Sequence, residues 1–129
     1  MLQILDSTLR EGEQTPGVYF DRHIKLAIAK MLDELGINII ETGHPIVTKE
    51  IHESVKTIAN CGLKATVGAH ARSLKGDVEL ALECGVDFIG IFYCVSDDRL
   101  NTVFKKDLNN AIQQITEVIR FAKELNPDI

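Results

Sequence analysis

Three times along the chain a helical segment gives way to a strand through one junction: Leu35-Gly36-Ile37, Cys61-Gly62-Leu63 and Cys84-Gly85-Val86. A glycine can take the left-handed conformation that closes a helix, and the apolar residue after it opens a buried strand. The junctions join short apolar runs, Leu2 to Leu5, Ile37 to Ile40, Leu63 to Ala69 and Val86 to Cys94, each predicted as a strand covered on both faces. Between them apolar residues recur at spacings of three and four, as in helices: Ile24, Ala27, Ile28, Met31 and Leu35; Ile51, Val55 and Ile58; then Leu108, Ala111, Ile112, Ile115, Ile119 and Ala122. A shorter helix is predicted around Asp77 to Glu83.

Such alternation implies an α/β fold of parallel strands with right-handed crossovers, in an open doubly wound sheet or a closed barrel. An eight-unit barrel needs about 250 residues. The four units visible in these 129 residues, ending at Asn126-Pro127-Asp128-Ile129, therefore read as half of one. No linker interrupts them, so residues 1–129 form one domain. Both sheet edges would be open, and a half-barrel is expected to pair with another copy or with a complementary chain.

Composition narrows the function classes. With 45% hydrophobic and 26% charged residues the chain is an ordinary globular one, and no apolar run approaches the length of a membrane span. Asp6 and Arg10 interrupt any signal-like start, so the expected location is cytoplasmic. The three cysteines, Cys61, Cys84 and Cys94, form no C-x-x-C and read as core thiols. A net charge of −5 argues against a nucleic-acid footprint. Small molecules are the expected partners.

In either architecture the site forms at the carboxyl ends of the strands. Each predicted strand runs into a polar cluster there: Asp6 to Gln14, Glu41-Thr42-Gly43-His44-Pro45, His70-Ala71-Arg72 and Ser96-Asp97-Asp98-Arg99. The first is densest. Arg10 can hold an oxyanion or carboxylate bidentately, and Glu11 offers the oxygen that a hard divalent cation prefers. An exposed Arg-Glu pair contributing little is the competing reading. Asp6 is expected to order its loop by hydrogen bonding and His44 to cap a turn, while His23 and His52 fall within helices and are expected at the surface.

The stretch "LDSTLREGEQ" resembles the first strand and loop of the metal-dependent Claisen-condensing acyltransferases, the homocitrate, isopropylmalate and citramalate synthases, which share a TIM barrel with hydroxymethylglutaryl-CoA lyase. The likeness continues through "KLAIAKMLDELGINIIETGHP", "GLKATVGAHARS" and "GVDFIGIFYCVSDDRL", and so covers nearly the whole chain as the first half of that barrel. The resemblance implies condensation of acetyl-CoA with a 2-oxo acid, followed by thioester hydrolysis. It implies a divalent ion, magnesium, manganese or zinc, with Glu11 as a ligand and Arg10 as the catalytic stabiliser of the substrate oxyanion. Gln14, Glu41, His70, Arg72 and Ser96 take positions that face the oxo acid in that family.

The same resemblance sets limits. The family completes its metal site with an H-x-H pair on the seventh strand, which is not present here. Metal binding by this chain alone is expected to be weak or absent, and the chain alone to be inactive as a synthase. "REGEQ" with His70 leans toward 2-oxoglutarate, whereas "TPG" and "VSDDRL" lean toward the 2-oxoisovalerate class. Arg99 stands where many isopropylmalate synthases have histidine. The alternatives are a lyase, whose usual first-strand motif differs, and a non-catalytic half-barrel that self-associates.

Overall fold

A computed structural model describes residues 2–129. Strands β1 (Leu5–Asp6), β2 (Ile39–Glu41), β3 (Thr66–Arg72) and β4 (Phe88–Phe92) alternate with helices α1 (Arg22–Leu35), α2 (Lys49–Ala59) and α3 (Lys75–Glu83). A single turn α4 (Asp97–Arg99) and a π-helical turn (Leu100–Phe104) precede α5 (Leu108–Leu125). All four strands are parallel, in the order β1-β2-β3-β4. A doubly wound sheet reverses its strand order. This sheet never does, and α1, α2, α3 and α5 lie side by side in sequence order. The architecture is therefore that of a partial (β/α) barrel, in which one sheet face packs on the helices and the other would line the interior.

The glycine junctions behave as the pattern requires: Gly36, Gly62 and Gly85 take φ of 88°, 80° and 77°. Each strand begins two or three residues later than its apolar run suggests. β2 and β3 also run on past those runs, so Glu41 and Arg72 are the last residues of their strands and His70 lies within β3 rather than in the following loop. Ladder hydrogen bonds continue through them because each side chain finds a charged or polar partner there, Glu41 with Arg10 and Arg72 with Asp77. Side chains fasten the opposite, amino-terminal ends. Asn38 Oδ1 accepts from Ile4 N at 2.8 Å, Asp87 Oδ2 from Val67 N at 2.9 Å, and Asp33 Oδ1 from Lys64 N and Ala65 N at 2.8 and 2.7 Å.

The core joins Ile40, Val67 and Ala69 of the sheet to Ala29, Val55, Ile58 and Ala81 of the helices, and a second cluster joins Ala71 to Val78, Val118 and Ala122. On the other face Glu41 pairs in register with Gly68, Gly68 with Phe88, and His70 with Gly90. The glycines make room: a methyl on Gly68 would stand 2.9 Å from the Phe88 ring, and one on Gly90 would stand 3.6 Å from Glu41 Oε1.

Two helical stripes differ from the pattern. In α1 the buried positions are Lys25 and Ala29, with Ile28 and Leu32 packed beside them, whereas Ile24, Met31 and Leu35 are exposed. The helix is rotated because Lys25, 1% exposed, finds polar partners inside. In α5 the buried residues are Ala111, Val118 and Ala122, while Leu108, Ile112 and Ile119 are exposed; Ile119 borders an apolar hollow beside the open β4 edge. Only Cys84 is a fully buried thiol, pushed by burial up to about 11. His52 is half-buried instead of at the surface, its Nε2 enclosed without a partner.

Gly36→Ala meets no atom within 4 Å but must hold φ near 88°, so its cost is conformational, about 1 kcal/mol. Gly76→Ala, in the first turn of α3 with equally open surroundings, should instead stabilise by about 0.5 kcal/mol. Urea denaturation midpoints should move in opposite directions for the two variants.

Candidate active site

The first loop is shaped by its own side chains. Asp6 Oδ1 accepts from Thr8 N at 2.9 Å, and the N–H groups of Arg10 and Glu11 both donate to Ser7 O, at 3.0 and 2.8 Å. Leu9 is fully buried and anchors the turn to the core. Arg10 is thereby directed across the top of β2. Its Nε donates to Glu41 Oε2 at 2.6 Å and its Nη1 to Glu11 Oε1 at 2.6 Å; Nη2 donates to no group among the described residues.

Glu41, only 6% exposed, continues the series. Its Oε1 stands 3.4 Å from His70 Nδ1. The His70 ring meets His44 edge-on at a centroid separation of 5.2 Å, and His44 Nε2 lies 3.0 Å from Asp77 Oδ2. Asp77 accepts a bidentate pair from Arg72, Nε at 2.8 Å and Nη2 at 2.9 Å, and a further bond from the Arg72 N–H. Side chains from the β1 loop, β2, β3 and α3 thus form one connected row, from Glu11 to Arg72.

The charges in this row stabilise one another. Burial pushes the Glu41 carboxyl up, but His70 and Arg10 outweigh it and hold the group below its ordinary value. Partial burial works against the Arg10 cation, and Glu41 and Glu11 more than offset it, so its pKa is raised. Burial of Asp77 is likewise overcome by Arg72 and His44, which bring it to about 2. Such a row can fix a guanidinium with one free edge where negative charge develops, beside an imidazole able to carry a proton.

A cleft of about 370 Å³ opens next to it, between the 10–20 loop and the amino-terminal turn of α2. Two bonds hold the loop over this cleft: buried Lys25 donates to Glu13 Oε2 at 2.5 Å, and Tyr19 OH donates to Glu50 Oε1 at 2.5 Å. Gln14, itself exposed, lines the cleft with Arg10 and His44.

Of the residues singled out in the sequence, Arg10, Glu11, Glu41, His70 and Arg72 come together in the row, and Gln14 lies beside it. Ser96 does not. It is exposed at the start of α4, 3.7 Å from Cys94 Sγ. Arg72 is held by Asp77 instead of standing free, and His44 bonds that aspartate instead of capping a turn. Sequence reading missed Asp77 and Lys25 as site-forming residues. An aspartate five positions after Arg72 and a lysine inside an apolar stripe were the available signals.

The fit to a metal ion is poor within this chain. Glu11 is 57% exposed at its side chain and already bonded to Arg10. Among the described residues no group of three or more His, Cys, Asp or Glu side chains is gathered closely enough to hold a cation.

A family model described as HMGL-like matches residues 1–129. A homocitrate synthase of Pyrococcus abyssi is 45% identical over 121 residues, which cover 94% of this chain and 34% of that protein. "Homocitrate synthase AksA" of Methanosarcina mazei is 43% identical over 123 residues, 95% of this chain and 30% of that protein. The chain thus spans about a third of the length of these curated relatives. The crystal structure of HMG-CoA lyase from Bacillus subtilis superposes with a TM-score of 0.78 at 21% identity, covering 96% of this chain and 43% of that one. That likeness supports the barrel fold.

The Asp77 pairing has a pH signature. Its folded-state value of about 2 lies below the ordinary 3.8, so ionised Asp77 contributes stability that is present above about pH 4 and lost as pH falls through about 2. The contribution is at most about 2 kcal/mol, because Arg72 is half exposed. Asp77→Asn should be destabilised by about that amount at pH 7 in urea unfolding, with the gap to wild type closing as pH drops from about 4 to 2.

Proposed function

The chain belongs to the HMGL-like family, and from that premise we propose that residues 1–129 form the first half of the catalytic barrel of an acyltransferase condensing acetyl-CoA with a 2-oxo acid. The observation that carries this reading is Arg10, held on two sides by Glu41 and Glu11 with Nη2 free, next to His70 at the carboxyl ends of the strands.

In the reaction, removal of a methyl proton from acetyl-CoA gives a carbanion that adds to the ketone carbon of the oxo acid. The ketone oxygen becomes an alkoxide. Arg10 Nη2 donates to that oxygen, and the two carboxylates on its other nitrogens keep the guanidinium from turning away as charge develops. A fixed donor of this kind commonly accounts for about 3 kcal/mol of transition-state stabilisation. Glu41 also accepts from His70 Nδ1–H, which leaves His70 Nε2 to meet the oxo acid. Gln14 borders the substrate from the 10–20 loop, and Arg72, through Asp77 and His44, supports His70 from behind. Hydrolysis of the thioester then releases the product and free CoA. The homocitrate synthase relatives favour a dicarboxylic oxo acid of the 2-oxoglutarate class over a branched one. The remaining barrel strands complete the site across the open β1 and β4 edges, and the whole acts as a cytoplasmic enzyme.

Purified alone, the chain should release no CoA from acetyl-CoA with any 2-oxo acid and added metal. A homocitrate synthase whose first third is replaced by this chain should turn over, and Arg10→Gln in that chimera should lower kcat at least about a hundredfold. A folded chimera without turnover, or undiminished turnover in the variant, would overturn the proposal.

A further inference from the structure

The side chain of Lys25 is 1% exposed on the inward face of α1, one helical turn from Ala29, where an apolar residue would pack without desolvating a charge. Taking an ammonium out of water is costly, and apolar replacement of a buried ion pair is often neutral or stabilising. Stability alone therefore does not call for a lysine at this place. We propose that Lys25 is a positioning residue for Arg10, fixing the turn that presents the guanidinium to the oxo acid; this rests on the condensing reaction proposed above.

The ammonium bonds that turn on both sides of Arg10. Nζ donates to the carbonyl of Leu9, immediately before it, at 3.4 Å, and to Glu13 Oε2, three residues after it, at 2.5 Å. Glu13 extends the tether, its Oε1 accepting from Phe20 N at 3.4 Å, so the far end of the loop folds back onto the same carboxylate. Nζ also lies against the turn that leaves β2, 3.9 Å from the place a methyl on Gly43 would take. One buried cation thus joins the β1 loop to α1 next to the strand end that carries Glu41.

The downstream side of Arg10 depends on this tie. Leu9 packs into the core on one side, but no residue from Glu11 to Tyr19 is buried on the other. Glu11, which takes Arg10 Nη1, is 57% exposed at its side chain and rides on the same turn, so it moves with Arg10 instead of anchoring it. Only the Nε bond to Glu41 in β2 is independent of the turn, and one bond leaves the guanidinium free to swing Nη2 out of line. A displacement of about 1 Å at a reacting group can lower a rate about a hundredfold. Lys25 is too deeply buried to meet a substrate and acts only through the turn. Tyr19 gives the comparison: it ties down the same loop through Glu50, but it is 64% exposed and holds the segment beyond Glu13, not the one that brackets Arg10.

Two measurements test this. In the isotope-labelled chain the Arg10 Nε–H, bonded to Glu41, should give a nuclear magnetic resonance signal protected from exchange. Replacing Lys25→Met together with Glu13→Gln leaves no uncompensated charge. In that paired variant the Arg10 signal should be lost while the amides of β3 stay in place, and Tyr19→Phe should keep the signal. In the homocitrate synthase chimera the paired replacement should lower kcat about tenfold, but less than about twofold once Arg10→Gln is present, because a residue acting through Arg10 then has nothing to position. General damage to the fold would lower kcat equally in both backgrounds. An undisturbed Arg10 signal in the paired variant, its loss together with the β3 amides, its loss in Tyr19→Phe, or equal kcat losses with and without Arg10 would overturn the inference. An inactive parent chimera refutes the condensing reaction, and the Arg10 signal still decides the placement. An active chimera indifferent to the paired replacement refutes only this inference.

Discussion

A carboxylate at the end of β2, 6% exposed and facing the barrel interior, has to be paired, and the rest of the upper rim follows from how that is done. Glu41 takes Arg10 from the preceding strand's loop and His70 from the following strand, so one buried charge links three consecutive β/α units. Removing either partner of such a pair is costly because the other is left desolvated. The 10–20 loop depends on the same pair. Arg10 can reach Glu41 only because Leu9 is buried behind it and the Ser7 carbonyl closes the turn.

The two ends of the strands are held by different chemistry. At the amino ends single acceptors, Asn38, Asp33 and Asp87, each bond backbone N–H groups of a neighbouring strand or the loop leading into it. Those bonds set register and can be satisfied within this chain. At the carboxyl ends the bonds run from side chain to side chain, and several atoms, Arg10 Nη2 among them, keep unused capacity. Stability at one end and recognition at the other is the division expected of a barrel whose loops carry the chemistry. The Asp77 cluster belongs to both: it fastens α3 to β3 through Arg72 and positions His44 against His70.

Much of this was legible in the residues, for reasons that can be named. The Gly36, Gly62 and Gly85 junctions are local signals, and each closes its helix as a left-handed glycine should. Arg10, Glu11, Glu41 and His70 were legible because polar residues directly after an apolar strand have only the rim to occupy. The stripe of α1 was misread because periodicity counts only apolar residues, and the face that packs inward contains Lys25, whose partners Glu13 and the Leu9 carbonyl come from a loop. In the sequence Asp77 marks only the start of a short predicted helix. Its role depends on Arg72 and on His44, 33 positions away, and no local pattern encodes that meeting. Ser96 stands apart from the row in this chain, exposed at the N-cap of α4 four residues after β4 ends at Phe92.

The dependence of the rim on Arg10 and Glu41 can be measured on the chain itself by a double-mutant cycle. Urea unfolding of wild type, Arg10→Met, Glu41→Gln and the double variant isolates their coupling. It should be about 2 kcal/mol, with each single variant more damaging than the double one would suggest if the two effects simply added. A coupling below about 0.5 kcal/mol would mean that the two residues act independently, and that the row from Glu11 to Arg72 is not held together in the way described.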